Sequence, residues 1–119
     1  MKEQYITITG IKHYYGIIPF EIGRKITCVK EPDNYYDQEA IRCQVKHIGT
    51  VGYVANSTYT VAVGTKSAGR IAHKVKKKFK VQVMFVAGNY VICKVVEGLK
   101  EKKEQETLQE KEEDILSFN

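Results

Sequence analysis

The sequence predicts an all-β protein, a β-barrel or a strongly coiled sheet of six strands with one or two short helices. Several short runs are rich in β-branched and aromatic residues and alternate apolar with polar side chains, as half-buried strands do. Turn-forming residues separate these runs at short intervals. A chain of 119 residues has the length of one domain. Together these observations favour a single barrel.

The predicted strands follow one another with short connections. The first is predicted over residues 3–13, where Tyr5-Ile6-Thr7-Ile8-Thr9 alternates and Gly10 indicates a bulge or a close backbone approach. The other strands are predicted at 25–30, 40–45, 50–54, 80–86 and 90–96. Glycines in the connections at 46–49 and 87–89 favour hairpins.

A short helix is predicted after the fourth strand. Asn56 or Ser57 is a suitable N-cap, the helix would run to about Val63, and Gly64 would stop it. Residues 65–75 fit a helix and an irregular strand equally well.

The C-terminal segment differs in composition from the rest of the chain. Residues 1–98 form the predicted β-barrel domain, whereas residues 99–119 are dominated by Lys, Glu and Gln and favour a charged, solvated helix. This tail could dock on the barrel or pair with another copy.

Charge is divided unevenly between these parts. Residues 1–99 hold fifteen Lys and Arg against seven Asp and Glu, a net charge of +8, whereas residues 100–119 carry −3. A basic body favours polyanionic partners, although net charge also serves solubility alone. No apolar run is long enough to cross a bilayer and no signal-peptide core precedes the first strand, so a cytoplasmic protein without a membrane partner is expected.

Catalytic and metal-binding signatures are missing from the sequence. Cys28, Cys43 and Cys93 lie in apolar runs, which favours reduced, buried thiols, because a zinc site would need closely spaced ligand pairs. There is no phosphate-binding glycine loop, His-Glu-x-x-His motif or nucleophile elbow. The chain is therefore predicted to be non-catalytic and to need no cofactor.

Two segments combine the residue types that single-stranded nucleic acids require. In the segment 31–41 a Pro-Asp-Asn turn precedes two adjacent tyrosines, so at least one ring is expected at the surface, where a base could stack on it. The cluster Lys12-His13-Tyr14-Tyr15 interleaves cationic and aromatic residues. Packing of these tyrosines at the edge of the core and a solvated Lys12 remain the alternatives.

These segments also carry a family resemblance. The order Gly10-Ile11-Lys12-His13-Tyr14-Tyr15-Gly16, then Glu-Pro-Asp-Asn-x-Tyr-Asp-x-x-Ala-Ile, then Ile48-Gly49-Thr50-Val51-Gly52-Tyr53-Val54 resembles the HIRAN domain. The resemblance spans roughly residues 5–56 and implies a modified OB-like barrel, in a small stand-alone bacterial protein concerned with DNA repair. It also implies capture of single-stranded DNA at the 3′ end, with Tyr36 stacking on a base and Asp37 accepting a hydrogen bond from the terminal sugar hydroxyl.

The resemblance implies the remaining site residues as well. Lys12 takes the position that grips phosphate, and the other positions fall on His13, Tyr14, Asn34 and Tyr53. Tyr53 stands where eukaryotic members have histidine, and the basic run 74–80 either adds positive charge or is a solvated loop before a strand. The rival interpretation is a protein-interaction adaptor whose tail is the docking element, or an accessory subunit of a separate helicase or nuclease.

Overall fold

A computed structural model describes residues 3–101, which form a closed antiparallel barrel of six strands in the order β1-β4-β3-β2-β5-β6. The predicted all-β barrel fold is therefore confirmed. The strands are β1 (Tyr5–Thr9), β2 (Lys25–Lys30), β3 (Ile41–Val45), β4 (Gly49–Val54), β5 (Val75–Val86) and β6 (Val91–Leu99). In the described part of the chain, no helix is long and apolar enough to span a membrane.

Alternating side chains fill the inside of the barrel. In β2, for example, Ile26 and Cys28 are buried while Thr27 and Val29 face outward. Cys28, Cys43 and Cys93 are free, buried thiols, as predicted, and burial raises the pKa of both Cys43 and Cys93. All three thiols therefore act as small core residues, and Cys43 and Cys93 have little thiolate character.

The first strand is shorter than predicted. It ends at Thr9, and Gly10 adopts a left-handed conformation with φ of 71°, which turns the chain into a 3-10 turn over Ile11–His13. Glycine enters this region without the steric cost that a side chain would bring. The turn lifts Lys12 and His13 out of the sheet and exposes both side chains.

The helix predicted from Asn56 or Ser57 to Val63 is wrong. Residues 57–66 instead form successive turns that lie against β1, and the helix α1 is at Ala68–Ile71, where Ser67 caps it by accepting the amide of Arg70. Tertiary contacts with β1 hold this segment in turns. The hydroxyl of Thr7 accepts the amide of Ala62 at 3.1 Å, and the carbonyl of Tyr5 accepts the amide of Lys66 at 2.8 Å.

The basic run is part of a strand. β5 begins at Val75, five residues earlier than predicted, because Val75 pairs with Leu99 and the buried Phe79 pairs with Cys28. The alternative of a solvated loop is therefore wrong for residues 75–80. The opposite strand, β6, runs through Gly98, where an added Cβ would lie 2.6 Å from Cβ of Phe79. The segment predicted to be a charged helix lies almost entirely outside the described residues.

Candidate nucleic-acid interface

The carboxylate of Glu31, at the end of β2, is the centre of a polar cluster. Asn34 donates its side-chain amide to Oε1 at 3.2 Å, and the guanidinium of Arg42 lies 3.6 Å from Oε2. Burial, together with hydrogen bonding to Glu31, raises the pKa of Tyr53 to about 12. Tyr14 is close enough to Tyr53 to interact with it electrostatically.

The β-ladder explains how this cluster forms. Arg42 and Tyr53 are direct partners across β3 and β4, and Arg42 is also paired with Val29 of β2, so their side chains share the outer face. Gly52, beside Tyr53, is needed because an added Cβ there would lie 2.7 Å from Cγ2 of Ile8. The glycine lets β1 approach β4 closely and so places Tyr53 next to the turn that carries Tyr14.

The loop that joins β2 to β3 is built on two side-chain turns. Oδ1 of Asn34 accepts the backbone amides of Tyr36 and Asp37 at 2.9 and 3.1 Å, and Oδ1 of Asp37 accepts the amide of Glu39 at 2.9 Å. Asp37 thus caps its own turn. Within residues 3–101 no hydrogen bond engages Oδ2 of Asp37.

The tyrosines at the tip of this loop face solvent. Tyr35 and Tyr36 are 92% and 93% exposed, and their rings contact each other edge to face, with centroids 5.2 Å apart. Packing in the core therefore accounts for neither ring. A flat, exposed ring of this kind is suited to stacking on a base.

The far side of the loop is braced against the rest of the barrel. Oε1 of Glu39 accepts the side-chain amide of Asn56 at 2.9 Å, and Oδ1 of Asn56 accepts the backbone amide of Gly69 at 2.9 Å. An added Cβ on Gly69 would be 2.6 Å from Oε2 of Glu39. The loop is therefore held at both ends, by Asn34 at one side and by Glu39 at the other.

A surface cavity of about 350 Å³ opens beside the Glu31 cluster, lined by Val29, Lys30, Glu31, Pro32, Asp33, Asn34, Arg42 and Lys77. Lys30 has a structural task there: its ammonium donates to the carbonyls of Ala72 and Val75 at 2.7 and 2.6 Å, and burial lowers its pKa. Lys77 makes no ion pair within the described residues, whereas the carboxylate of Glu31 partly neutralises Arg42.

The structure brings some of the predicted site residues together. Asn34, Tyr53 and Tyr14 lie around Glu31, and Asn34 links them to the loop tip that carries Tyr36 and Asp37. Lys12 and His13 are exposed beside Tyr14, and their side chains make no hydrogen bond or ion pair within the described range. No side-chain hydrogen bond or ion pair within the described range therefore fixes the position of either side chain.

Sequence reasoning missed two residues of this cluster, Glu31 and Arg42. The alternation of Ile41, Arg42 and Cys43 indicates that Arg42 faces outward, but no local pattern shows that its neighbours across the sheet are Tyr53 and Glu31. Among residues 3–101 no group of three or more His, Cys, Asp or Glu side chains is placed to hold a metal ion.

Comparison with known proteins agrees with this architecture. The HIRAN domain family model matches residues 1–62. The crystal structure of the HIRAN domain of human HLTF has a similar fold, with a TM-score of 0.61 and 14% sequence identity, covering 88% of this chain and 81% of that one. No curated protein sequence matches the chain. Because the family model matches more than half of its residues, the chain belongs to the HIRAN domain family.

Proposed function

We propose that this chain is a non-catalytic DNA-binding module that binds single-stranded DNA at its 3′ end. The observation that carries the proposal is the loop tip, where a 93% exposed Tyr36 stands beside the carboxylate of Asp37 and both backbone amides are held by Asn34. A loop ordered in advance loses less conformational entropy when it binds. Membership of a DNA-binding domain family supports the general assignment.

In the proposed complex, Tyr36 stacks on a base near the end of the strand, a contact worth roughly 1–3 kcal/mol. The open Oδ2 of Asp37 accepts the proton of the terminal 3′-hydroxyl. A terminal phosphate at the same position would be repelled by the carboxylate. One charged side chain thereby distinguishes a free 3′-hydroxyl from a phosphate-bearing end.

The cations around the loop neutralise the phosphates of the strand. Lys12 on the 3-10 turn and Lys77 in the neighbouring cavity are available for this task, and Arg42, which Glu31 partly neutralises, adds to them. His13 and Tyr14 provide a second aromatic surface beside Lys12. Contacts of this kind bind single strands with little regard to sequence.

A binding titration tests the proposal. Fluorescence anisotropy with a labelled single strand ending in a 3′-hydroxyl should show binding that falls with salt, with a log–log slope of roughly −2 to −4 for a handful of phosphate contacts. The same strand ending in a 3′-phosphate should bind more weakly. Equal affinity for both ends would contradict end recognition, and no binding at low salt would contradict the nucleic-acid function as a whole.

A second candidate function is an adaptor or an accessory subunit of a separate helicase or nuclease. One observation favours it: Ile18, Ile22 and Phe85 are 84%, 65% and 55% exposed. The segments that carry Ile22 and Phe85 are joined by a hydrogen bond in which the amide of Gly23 donates to the carbonyl of Val83 at 2.8 Å. Exposed apolar side chains that cluster on a surface often mark a protein contact.

A further inference from the structure

We infer that a second surface, separate from the loop tip, holds the phosphate backbone of the strand that leads to the 3′ end. This inference rests on the proposed function. The surface is a concavity of about 640 Å³ on the outer faces of β3, β2 and β5, here called the lateral groove. The polar residues that line it are Thr27, Gln44, Lys46, His47, Lys78 and Lys80.

The register of the barrel makes the lateral groove continuous with the Glu31 cluster. Arg42, Val29 and Lys78 form one row across β3, β2 and β5. Gln44, Thr27 and Lys80 form the next outward-facing row. Two residues along a strand correspond to about 7 Å. A single strand of DNA that leaves the cavity beside Arg42 therefore meets the lateral groove directly.

The charge of the groove suits phosphates. Lys46, Lys78 and Lys80 line it and none of its lining residues is a carboxylate. Lys80 is 3.9 Å from Glu97, which Lys25 also contacts at 3.3 Å, so Lys80 is partly neutralised. Lys46 and Lys78 make no ion pair within residues 3–101. They are the two lysines whose charge remains available.

The chemistry of the lining favours contact with the phosphate backbone over stacking. Lysines, hydroxyl and amide side chains and one imidazole, that of His47, supply the polar part of the lining, and the groove contains no Tyr, Phe or Trp. Lysine is a mobile point charge that binds phosphate without fixed geometry. The tyrosine loop thus recognises the end of the strand, and the lateral groove adds affinity that depends on strand length.

The length of the DNA single strand distinguishes binding at the loop tip from binding in the lateral groove. A single strand of about three nucleotides occupies the loop tip alone, whereas one of about twelve nucleotides also reaches the groove, within the range bound by OB-like folds. Both carry a free 3′-hydroxyl and a 5′ label. Affinities for Lys46→Ala, Lys78→Ala and the double variant are measured over a salt series.

The affinity of the double variant for the long strand should fall several-fold, and its affinity for the short strand should be unchanged. Its salt slope on the long strand should be shallower by about 0.7 for each phosphate contact removed. Lys94→Ala is the matched control: it removes one charge from β6, where Lys94 contacts Glu3 at 3.1 Å, and should leave binding to both strands unchanged. Melting temperatures verify that each variant is folded.

Each other outcome is informative. If the double variant binds the long strand like wild type, the lateral groove is refuted while end recognition stands. Equal losses on both strands would place these lysines at the end site and would also refute the groove. A wild-type protein that binds neither strand would overturn the proposed function itself, and the groove with it.

Discussion

The side-chain amide of Asn34 donates a 3.2 Å hydrogen bond to Oε1 of Glu31. Its oxygen accepts the backbone amides of Tyr36 and Asp37. The side chain of Asn34 thus links Glu31, at the end of β2, to the exposed loop tip. The orientation of the tyrosine ring consequently depends on a residue that has no need to contact the ligand itself.

Replacing Asn34 by Asp tests this link. The Asn34→Asp variant keeps the oxygen that caps the turn but loses the donor and places a carboxylate beside Glu31. We expect single-strand affinity to fall and stability to decrease by about 1 kcal/mol, because a hydrogen bond is replaced by like-charge repulsion. Anisotropy and chemical denaturation measure the two effects. Asn89→Asp, at an exposed position in the β5–β6 hairpin, is the control. It should change both the affinity and the stability less than Asn34→Asp does.

Replacing Tyr36 by Ala should weaken single-strand binding by roughly 1–3 kcal/mol through lost stacking. The melting temperature should hardly change, because the ring is 93% exposed. Tyr59→Ala is a matched control, since Tyr59 is 97% exposed and lines a different surface cavity, with Thr9, Asn89 and Tyr90. A similar loss of affinity in both variants would show that the effect is not specific to the loop tip.

Asp37 has two tasks that a pair of substitutions can separate. Asp37→Asn retains an oxygen to accept the amide of Glu39, so the turn should survive, while the charge is removed. Binding to a 3′-hydroxyl end should weaken and binding to a 3′-phosphate end should be maintained or improved. Asp37→Ala should in addition lower stability by about 1 kcal/mol, because the turn loses its cap. If Asp37→Asn weakens binding to both kinds of end equally, Asp37 does not recognise the 3′-hydroxyl.

Tyr53 gives a prediction for alkaline pH. The folded-state pKa of about 12 lies above the ordinary tyrosine value of about 10, because burial and the hydrogen bond with Glu31 both favour the neutral phenol. The stability that neutral Tyr53 contributes is therefore complete below about pH 10 and is lost as pH rises through about 12. Tyr53→Phe should lower the free energy of unfolding at neutral pH by at most about 1 kcal/mol, since solvent screens this partly exposed group. The advantage of wild type over this variant should decrease as pH rises between these two values. A difference that stays constant across that interval would contradict the assignment.

The acidic C-terminal segment should compete with DNA for the basic body of the protein. Truncation after Glu101 removes most of it, and single-strand affinity should then rise or stay unchanged. Truncation after Gly98 is unsuitable, because it deletes Leu99, which pairs with Val75, and Lys100, whose amide donates to the carbonyl of Lys74 at 2.8 Å. Weaker binding after truncation at Glu101 would instead make the segment part of the binding surface.

Local sequence determined the features that depend on neighbouring residues. Alternation located all six strands, because the side chains of a strand point to opposite faces in turn. The Pro-Asp-Asn run predicted a turn, and the structure shows side-chain caps there from Asn34 and Asp37. The two adjacent tyrosines predicted an exposed ring, and both rings are exposed.

Tertiary structure decided the features that depend on distant partners. A suitable N-cap at Asn56 or Ser57 and a stop at Gly64 predicted a helix between them, yet the chain forms turns against β1. Thr7, 55 residues earlier than Ala62, accepts a backbone amide that a helix would have used. The lysine run became a strand because Phe79 is buried inside the barrel. The Glu31 cluster exists only because the pairing of β3 with β2 and β4 places Arg42 beside Val29 and Tyr53. These partners are set by strand register, which no short stretch of sequence encodes.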